Sequence, residues 1–269
     1  MDGSGGAGHA AHPHEKAITL GHPSYVWGLG QERRLALIRR YVTLEDQTIL
    51  DVGCGLGMYV RAFRRFSPEV FGIDIDADKL LQAHQEVPNL TAATAEALPF
   101  AAGAFDVVLS HEVIEHVTDD QQAVADAVRI LALGGRLVIF APNRLYPFET
   151  HGVYWGGRYH FGNIPLVGYV PDRWRRRFAP HVRAYTRRGL RRLLASLPVR
   201  VVVHTQIYPG YDKIAGRRPV LGRLLRAVTY LLENTPFRAF GLSHLLVLEK
   251  TDPKGFPQDP DRARAGEQP

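Results

Sequence analysis

Three closely spaced glycines in the N-terminal half of the chain could form a loop that binds a ligand through its backbone. Gly53, Gly55 and Gly57 separate the run Thr48–Val52, which predicts a buried strand, from a helical pattern. Glycine lets the backbone approach a ligand closely, and a helix N-terminus offers unpaired N–H groups to it. The dinucleotide fingerprint would need its third glycine where Met58 stands, so the nicotinamide signature is not met.

Two carboxylates accompany this glycine loop. Asp51 opens the motif, and Asp74 stands at the end of a second predicted strand, Val70–Asp74. A carboxylate at that strand end can accept hydrogen bonds from both hydroxyls of a ribose. Together, the loop and the acid predict a site for a cofactor that contains a ribose.

A second group of reactive side chains lies between Asn143 and Tyr185, where Pro, Gly, aromatic residues and histidines interrupt every regular pattern. A connection this long is usually functional, and aromatic walls with a few polar groups suit a substrate pocket. If the reaction needs a general base, we expect His151 first, then His160 or Glu149. No tight ligand spacing indicates a metal. The residues expected to contact substrate, which could equally serve packing, are Tyr146, Tyr154, Trp155 and Tyr159, together with Tyr25 and Trp27 from an N-terminal segment that could form a lid.

The elements that must position these residues alternate as in a doubly wound parallel α/β sheet. Gly134 and Gly135 are predicted to cap the C-terminal end of a helix at 119–131, and Thr186 the N-terminal end of a leucine-rich helix. A further amphipathic helix is predicted at 221–232. The predicted strands are 48–52, 70–74, 90–94, 105–110, 136–140, 199–207 and 244–249.

Four stretches of roughly residues 45–145 resemble the class I S-adenosylmethionine-dependent methyltransferases, in particular the broad group related to ubiquinone and menaquinone biosynthesis methyltransferases. They are ILDVGCGLG, FGIDID, AEALPFAAGAFDVVLSHEVIEHV and GGRLVIFAPN, in the family's order. The resemblance implies a Rossmann-like seven-stranded sheet, mostly parallel with a reversed last strand, helices on both faces and insertions after strands five and six. It also implies methyl transfer by in-line displacement to a small-molecule or lipid-like acceptor.

The resemblance further implies a cofactor-binding residue set for S-adenosylmethionine. The glycine loop would lie against the methionine part, and the end of the second strand would hold the ribose. Thr94 stands where the family often has an acidic residue that contacts the adenine amine. The implied set is Asp51, Gly53, Cys54, Gly55 and Gly57 at the loop, Asp74 and Ile75 at the ribose and adenine, Ala95 and Glu96 at the adenine edge, and Ser110 and His111 beside the sulfonium.

Composition limits the classes of protein that the chain can belong to. Its 269 residues are 45% apolar and 22% charged, which is ordinary for a globular protein. The single cysteine, Cys54, excludes an internal disulfide and zinc–cysteine clusters. We expect one domain at residues 17–250, with insertions at about 143–185 and 208–242, disordered segments at 1–16 and 251–269, a cytoplasmic location and no obligate protein partner.

The charge distribution leaves alternatives open. Residues 1–150 carry 12 basic and 19 acidic side chains, whereas residues 151–250 carry 18 basic and 4 acidic ones, 16 of the basic residues being arginine. Such a field could attract an anionic small molecule, RNA or an acidic membrane. RNA methylation is therefore one alternative, although residues 141–144 lack the Asn/Asp-Pro-Pro-aromatic signature. A second alternative is peripheral membrane contact through the helix at 221–232. A third is that the protein is a regulator that binds the cofactor without catalysis.

Overall fold

Seven strands form one central sheet in the computed structural model, which describes residues 27–252. The sheet has the order β10–β11–β5–β4–β1–β2–β3, and β6 with β9 and β7 with β8 form two separate two-stranded sheets. The strands are β1 Ile49–Val52, β2 Val70–Asp74, β3 Leu90–Ala92, β4 Phe105–His111, β5 Leu131–Pro142, β6 Phe148–Glu149, β7 Val153–Trp155, β8 Arg158–His160, β9 Ile164–Pro165, β10 Val199–Ile207 and β11 Ser243–Lys250.

Strand direction confirms the expected sheet. β1 runs parallel to β2 and β4, and β4 runs parallel to β5. β11 is antiparallel to both of its neighbours, with Leu245 opposite Phe140 of β5. The last strand is therefore the reversed one, and the carboxyl ends of the parallel strands meet at one edge, where open α/β sheets bind ligands.

Helices cover both faces of the sheet. Side chains on β1 and β5 alternate between two buried clusters, because successive residues of a strand point to opposite faces. Ile49 and Phe140 belong to one cluster, Leu50 and Ile139 to the other, and all four are fully buried. The described helices are α1 Leu29–Tyr41, α2 Met58–Phe63, α3 Ala77–His84, α4 Asp120–Ile130, α5 Asp172–Phe178, α6 Arg187–Leu193, α7 Asp212–Arg217 and α8 Pro219–Leu232.

One predicted cap is confirmed and another is wrong. Thr186 caps α6, its Oγ1 accepting the N–H of Gly189 at 3.0 Å. Gly134 and Gly135 do not cap α4, because that helix ends at Ile130 and the chain enters β5 at once. The glycines lie instead in a bulge, where the pairing with β4 jumps from Leu131 to Arg136 and Gly134 has φ +80°.

The insertion at 143–185 contains regular structure that the sequence pattern does not predict. It holds β6 to β9 and α5, and its two ends lie side by side. Arg144 N–H donates to the carbonyl of Tyr185 at 2.9 Å, and Tyr185 N–H donates to that of Pro142 at 2.9 Å. The insertion is therefore a closed unit that sits on the carboxyl edge of the sheet.

The expectations for residues 1–16 and for Tyr25 lie outside the described residues, as do those for most of the tail at 251–269. Between residues 27 and 252, no helix combines the length and the apolar character that crossing a bilayer requires.

Candidate active site

A cavity of about 550 Å³ lies at the carboxyl ends of β1, β2 and β4. Its walls come from α1, the glycine loop, the segment after β4, α7 and the insertion. Residues far apart in sequence therefore share one space. The lining residues that enter the argument below are Arg34, Asp51, Gly53, Cys54, Gly55, Tyr59, Asp74, Lys79, His111, Glu112, His116, Thr150, His151, Phe161, Asn163 and Lys213.

The glycine loop turns its backbone toward this cavity. Gly53, Gly55 and Gly57 all have positive φ, at 72°, 53° and 73°. A Cβ on Gly53 would lie 2.4 Å from a methyl group of Val113, whereas one on Gly55 would meet no atom of the described part of the chain within 4 Å. Gly53 is thus required for packing against the loop after β4, and Gly55 leaves open space beside the backbone for a ligand.

Asp74 ties the glycine loop to the end of β2. One carboxylate oxygen accepts the N–H of Gly55 at 2.8 Å, and the other accepts that of Asp76 at 2.8 Å. Asp51 is buried close by, and burial together with the negative charge of Asp74 raises its pKa well above the ordinary value. Asp74 is thus the acceptor that fixes the glycine loop to β2, whereas burial favours the protonated form of Asp51.

A second, smaller cavity of about 210 Å³ adjoins the first at Asp74. Ile75, Thr94, Ala95 and Glu96 line it, and Ile75 is 60% exposed. Glu96 is also used structurally, since its Oε1 accepts the N–H of Thr118 at 2.8 Å. The space suits a flat ring that packs against the apolar side chain of Ile75 and lies beside backbone groups of residues 94–96.

Ser110 and His111 lie on opposite faces of β4, as consecutive residues of a strand must. His111 lines the main cavity between the rings of Tyr59 and Phe140, at 5.0 and 5.3 Å. Ser110 lines a separate apolar void of about 10 Å³ beside α4. Burial, and next the charge of Arg34, lowers the pKa of His111 to about 3, so its ring is neutral.

The segment after β4 contributes acids that the sequence analysis did not single out. Glu112 has φ +56°, a strained value for a residue with a side chain, and its carboxylate lies 3.7 Å from the guanidinium of Arg34. Burial by itself would raise the pKa of Glu112, but Arg34 lowers it overall. Glu115 is buried, and among residues 27–252 neither of its carboxylate oxygens has a hydrogen-bond partner. Burial and the charge of Glu112 raise the pKa of Glu115 well above the ordinary value.

Glu115, His116 and His151 together have the composition of a cation site. One ligand atom from each lies within 4.8 Å of the others. Burial, and next the charge of His151, lowers the pKa of His116 to about 4, so its imidazole is neutral at ordinary pH, as a metal ligand must be. In the sequence, the spacing Glu112-x-x-Glu115-His116 is the pattern that could have indicated this group of ligands. The expectation of no metal stays an untested prediction.

His151 is held by a buried chain of charges. Its Nδ1 lies 3.2 Å from Glu149 Oε1, and Glu149 Oε2 lies 2.8 Å from the guanidinium of Arg175. Burial raises the pKa of Glu149, but the hydrogen bond from His151 and the charge of Arg175 outweigh it and lower the pKa to about 2. Of the three candidate bases, His151 lines the cavity directly and Glu149 lies behind it.

His160 and the four aromatic residues of the insertion that were expected to contact substrate do not line the main cavity. His160 pairs with Val153 in the β7–β8 ladder. The four aromatic rings pack against other rings inside the insertion, and their contact with substrate stays a prediction. Tyr146 packs against Phe148, Tyr154 against Tyr159, and Trp155 against Phe178, at 5.8, 5.3 and 5.4 Å between ring centres.

Their place in the cavity wall is taken by Thr150, Phe161 and Asn163 from the insertion. Lys213 and Arg34 come from helices, and neither was predicted. Trp27 packs edge-on against Tyr59 at 5.2 Å, so it borders the cavity through that ring. Local pattern identifies aromatic residues but not which of them pack against each other, so it did not indicate which residues line this cavity.

Known proteins match the half of the chain that holds the glycine loop. A family model described as a methyltransferase domain matches residues 50–139. A ubiquinone biosynthesis O-methyltransferase of Coxiella burnetii is 30% identical over 138 residues, which cover 49% of this chain and 58% of that protein. The corresponding protein of Methylococcus capsulatus is 34% identical over 118 residues, covering 41% of this chain and 50% of that one. The chain thus spans a little over half the length of these relatives.

Residues 50–139 thus match a methyltransferase domain. The fold of the chain agrees with this similarity. An S-adenosylmethionine-dependent methyltransferase of Mesorhizobium loti is similar with a TM-score of 0.60 and 19% identity, over 83% of this chain and all of that one. A [4+2]-cyclase, SpnF, is similar with a TM-score of 0.55 and 16% identity, over 88% and 90%. Since a protein named for another reaction shares the fold, the fold by itself does not define the reaction.

Proposed function

We propose that the protein transfers a methyl group from S-adenosylmethionine to a hydroxyl group of a small or lipid-like molecule. The observation that carries this proposal is that the His151–Glu149–Arg175 chain ends at the same cavity that the glycine loop lines. The cofactor, when bound, supplies a methyl group on a sulfonium, whose bond to sulfur breaks as the bond to the acceptor oxygen forms. The protein must then align the acceptor and exclude water.

The described residues fit this cofactor. Gly55 leaves room beside its backbone, and Asp74 borders both cavities with a charged carboxylate. That placement puts Asp74 between a space for the amino-acid part and a space for the adenine. Ile75 and Ala95 offer apolar contact to the ring, and Glu96 offers a polar edge in place of the acid absent at position 94.

His151 has the surroundings of a general base. With its Nδ1–H donated to Glu149, its lone pair lies on Nε2, the nitrogen left for an acceptor hydroxyl. The hydroxyl proton passes to Nε2 as the new oxygen–carbon bond forms. The imidazolium that results is stabilised by the ionised Glu149, which Arg175 in turn keeps charged.

The acceptor class rests on two observations. The relatives named above carry the name ubiquinone biosynthesis O-methyltransferase, which implies a hydroxyl group on a lipid-linked ring. The cavity here joins aromatic walls, Tyr59 and Phe161, with the imidazole of His151. A phenolic or quinol-like acceptor with an apolar tail agrees with both.

Calorimetric titration with S-adenosylmethionine and S-adenosylhomocysteine, with NAD as control, tests the cofactor. Binding of the first two justifies assays of labelled methyl transfer to quinols, phenols, lipids and RNA. Methylation of a phenol or quinol that stops in His151→Gln supports the proposal. Methylation of RNA alone, or binding of NAD alone, contradicts it.

A further inference from the structure

The longest helix after β10 presents its apolar side to solvent. Val220, Leu224 and Leu231 of α8 are 71%, 59% and 69% exposed, and Val228 between them is 49% exposed. These positions lie three or four residues apart and therefore share one face. The sequence pattern alone would favour packing of such a stripe against the sheet, and the structure shows the opposite orientation.

Polar contacts on the other side of α8 hold it in this orientation. The guanidinium of Arg33 lies 3.5 Å from the ring centre of Tyr230 and also pairs with Glu233. Glu233 accepts the N–H of Tyr208 at 2.7 Å. Gly222 is buried against α7, where a Cβ would lie 2.6 Å from the Cα of Ala215. Rotation of the helix to bury the leucines would break all of these contacts, so the exposed stripe belongs to the folded state.

Cations lie beside the N-terminal part of the exposed stripe. Arg217 and Arg218 precede α8, Arg223 lies within it, and all three are exposed. No acidic residue occurs between Lys213 and Leu232. An apolar face beside basic side chains is typical of helices that lie in the plane of a membrane interface and bind anionic lipids.

We propose that α8 binds the surface of an anionic lipid bilayer, its apolar stripe entering the acyl boundary and its arginines pairing with headgroup phosphates. Charge favours this partner over a second copy of the chain. A two-fold pairing of α8 helices through the stripe would set the exposed Arg217, Arg218 and Arg223 of each copy against a surface of the same positive sign, which like charges oppose. An anionic bilayer instead complements both the stripe and its cations.

The membrane surface would lie beside the cavity mouth. Lys213, on α7 next to α8, lines the cavity. Asp212 accepts the N–H groups of Leu29 and Gly30 at 2.5 and 3.2 Å, so α7 is fixed to the helix that carries Arg34. Delivery of a lipid-soluble acceptor along this route rests on the proposed function, whereas lipid binding itself does not.

Cosedimentation of the full chain with vesicles, without any methyl donor, tests the binding. Vesicles of phosphatidylcholine with phosphatidylglycerol should retain the protein, and vesicles of phosphatidylcholine alone should retain much less. Leu224→Ser with Leu231→Ser should lower the partition coefficient roughly tenfold. Arg217→Gln, Arg218→Gln and Arg223→Gln should each lower it roughly fivefold and weaken its dependence on salt.

Matched variants elsewhere on the surface serve as controls. Leu81→Ser changes an apolar residue that is 71% exposed on α3, and Arg192→Gln changes an exposed arginine on α6. Both should bind vesicles like the unaltered protein. Hydrogen exchange in α8 should slow when anionic vesicles are added.

Several outcomes would overturn the proposal. They are equal binding to neutral and anionic vesicles, and unchanged binding after the two leucine substitutions. A dimer in sedimentation velocity that Leu224→Ser dissolves, without vesicle binding, would assign the stripe to a second copy. None of these results depends on whether the cavity methylates an acceptor.

Discussion

The glycine loop and the insertion line the same cavity by different means. The loop contributes backbone groups, which are held by a strand before the loop and a helix after it. Asp74, on the neighbouring strand, accepts the N–H of Gly55 at 2.8 Å. The insertion contributes side chains, and Glu149 and Arg175, 26 positions apart, must meet in the interior to hold His151. A site formed by backbone groups can be predicted from the local sequence. A site formed by side chains cannot, because its geometry depends on which distant residues contact each other.

The largest effect that tests this comparison is expected at His151. Replacement by Asn should lower the turnover number by roughly 10²–10⁴-fold, because the acceptor proton loses its base. The dissociation constant of S-adenosylmethionine should stay nearly constant, since the glycine loop is untouched. His160→Asn is the matched control and should leave both quantities unchanged.

Treatment with a chelator distinguishes whether His151 acts as a general base or as a metal ligand. If it is the base, treatment with EDTA should leave the turnover of the unaltered protein intact. Loss of turnover that a divalent cation restores would show that Glu115, His116 and His151 act as ligands instead.

The next largest effect concerns folding stability. Arg175→Ala should lower the free energy of unfolding by about 3–5 kcal/mol, because it leaves the carboxylate of Glu149 buried without its cation. Urea denaturation followed by fluorescence measures this. The adjacent Arg176 is exposed, and its replacement by Ala should change the stability by less than about 0.5 kcal/mol. Equal effects would show that the ion pair does not organise the insertion.

Asp74→Ala tests the backbone half of the site. Loss of a charged acceptor should weaken S-adenosylmethionine binding by at least roughly tenfold. Calorimetry measures the change, with Glu86→Ala on the exposed surface as the control. Unchanged affinity would mean that Asp74 only positions Gly55 and that the ribose lies elsewhere.

Acid should weaken the insertion through the protonation of Glu149. The pKa of Glu149 is about 2 in the folded protein against an ordinary 4.5, so its contribution to stability is complete above pH 4.5 and declines as pH falls toward 2. The slope from this one proton is at most about 1.4 kcal/mol per pH unit. Glu149→Gln should flatten the decline, and an unaltered slope in that variant would contradict the assignment.

The smallest effect is expected at Trp155. This side chain is 65% exposed and stacks on Phe178 outside the cavity. Trp155→Ala should change the stability by less than about 1 kcal/mol. The Michaelis constant for the acceptor should stay within roughly twofold, because the ring does not reach the cavity. A large rise in that constant would restore Trp155 as a substrate contact.

The amino-acid sequence determined the alternation of strands and helices and the glycine loop, because strand alternation and glycine spacing are local properties of the chain. The reversed last strand was implied only by the resemblance to methyltransferases. Only the tertiary structure decided that His151 faces the cavity while His160 does not, that the carboxylate of Glu115 is buried without a hydrogen-bond partner among residues 27–252, and that the stripe of α8 faces outward. Each of these depends on contacts between residues distant in sequence, and periodicity within one segment carries no information about a partner in another.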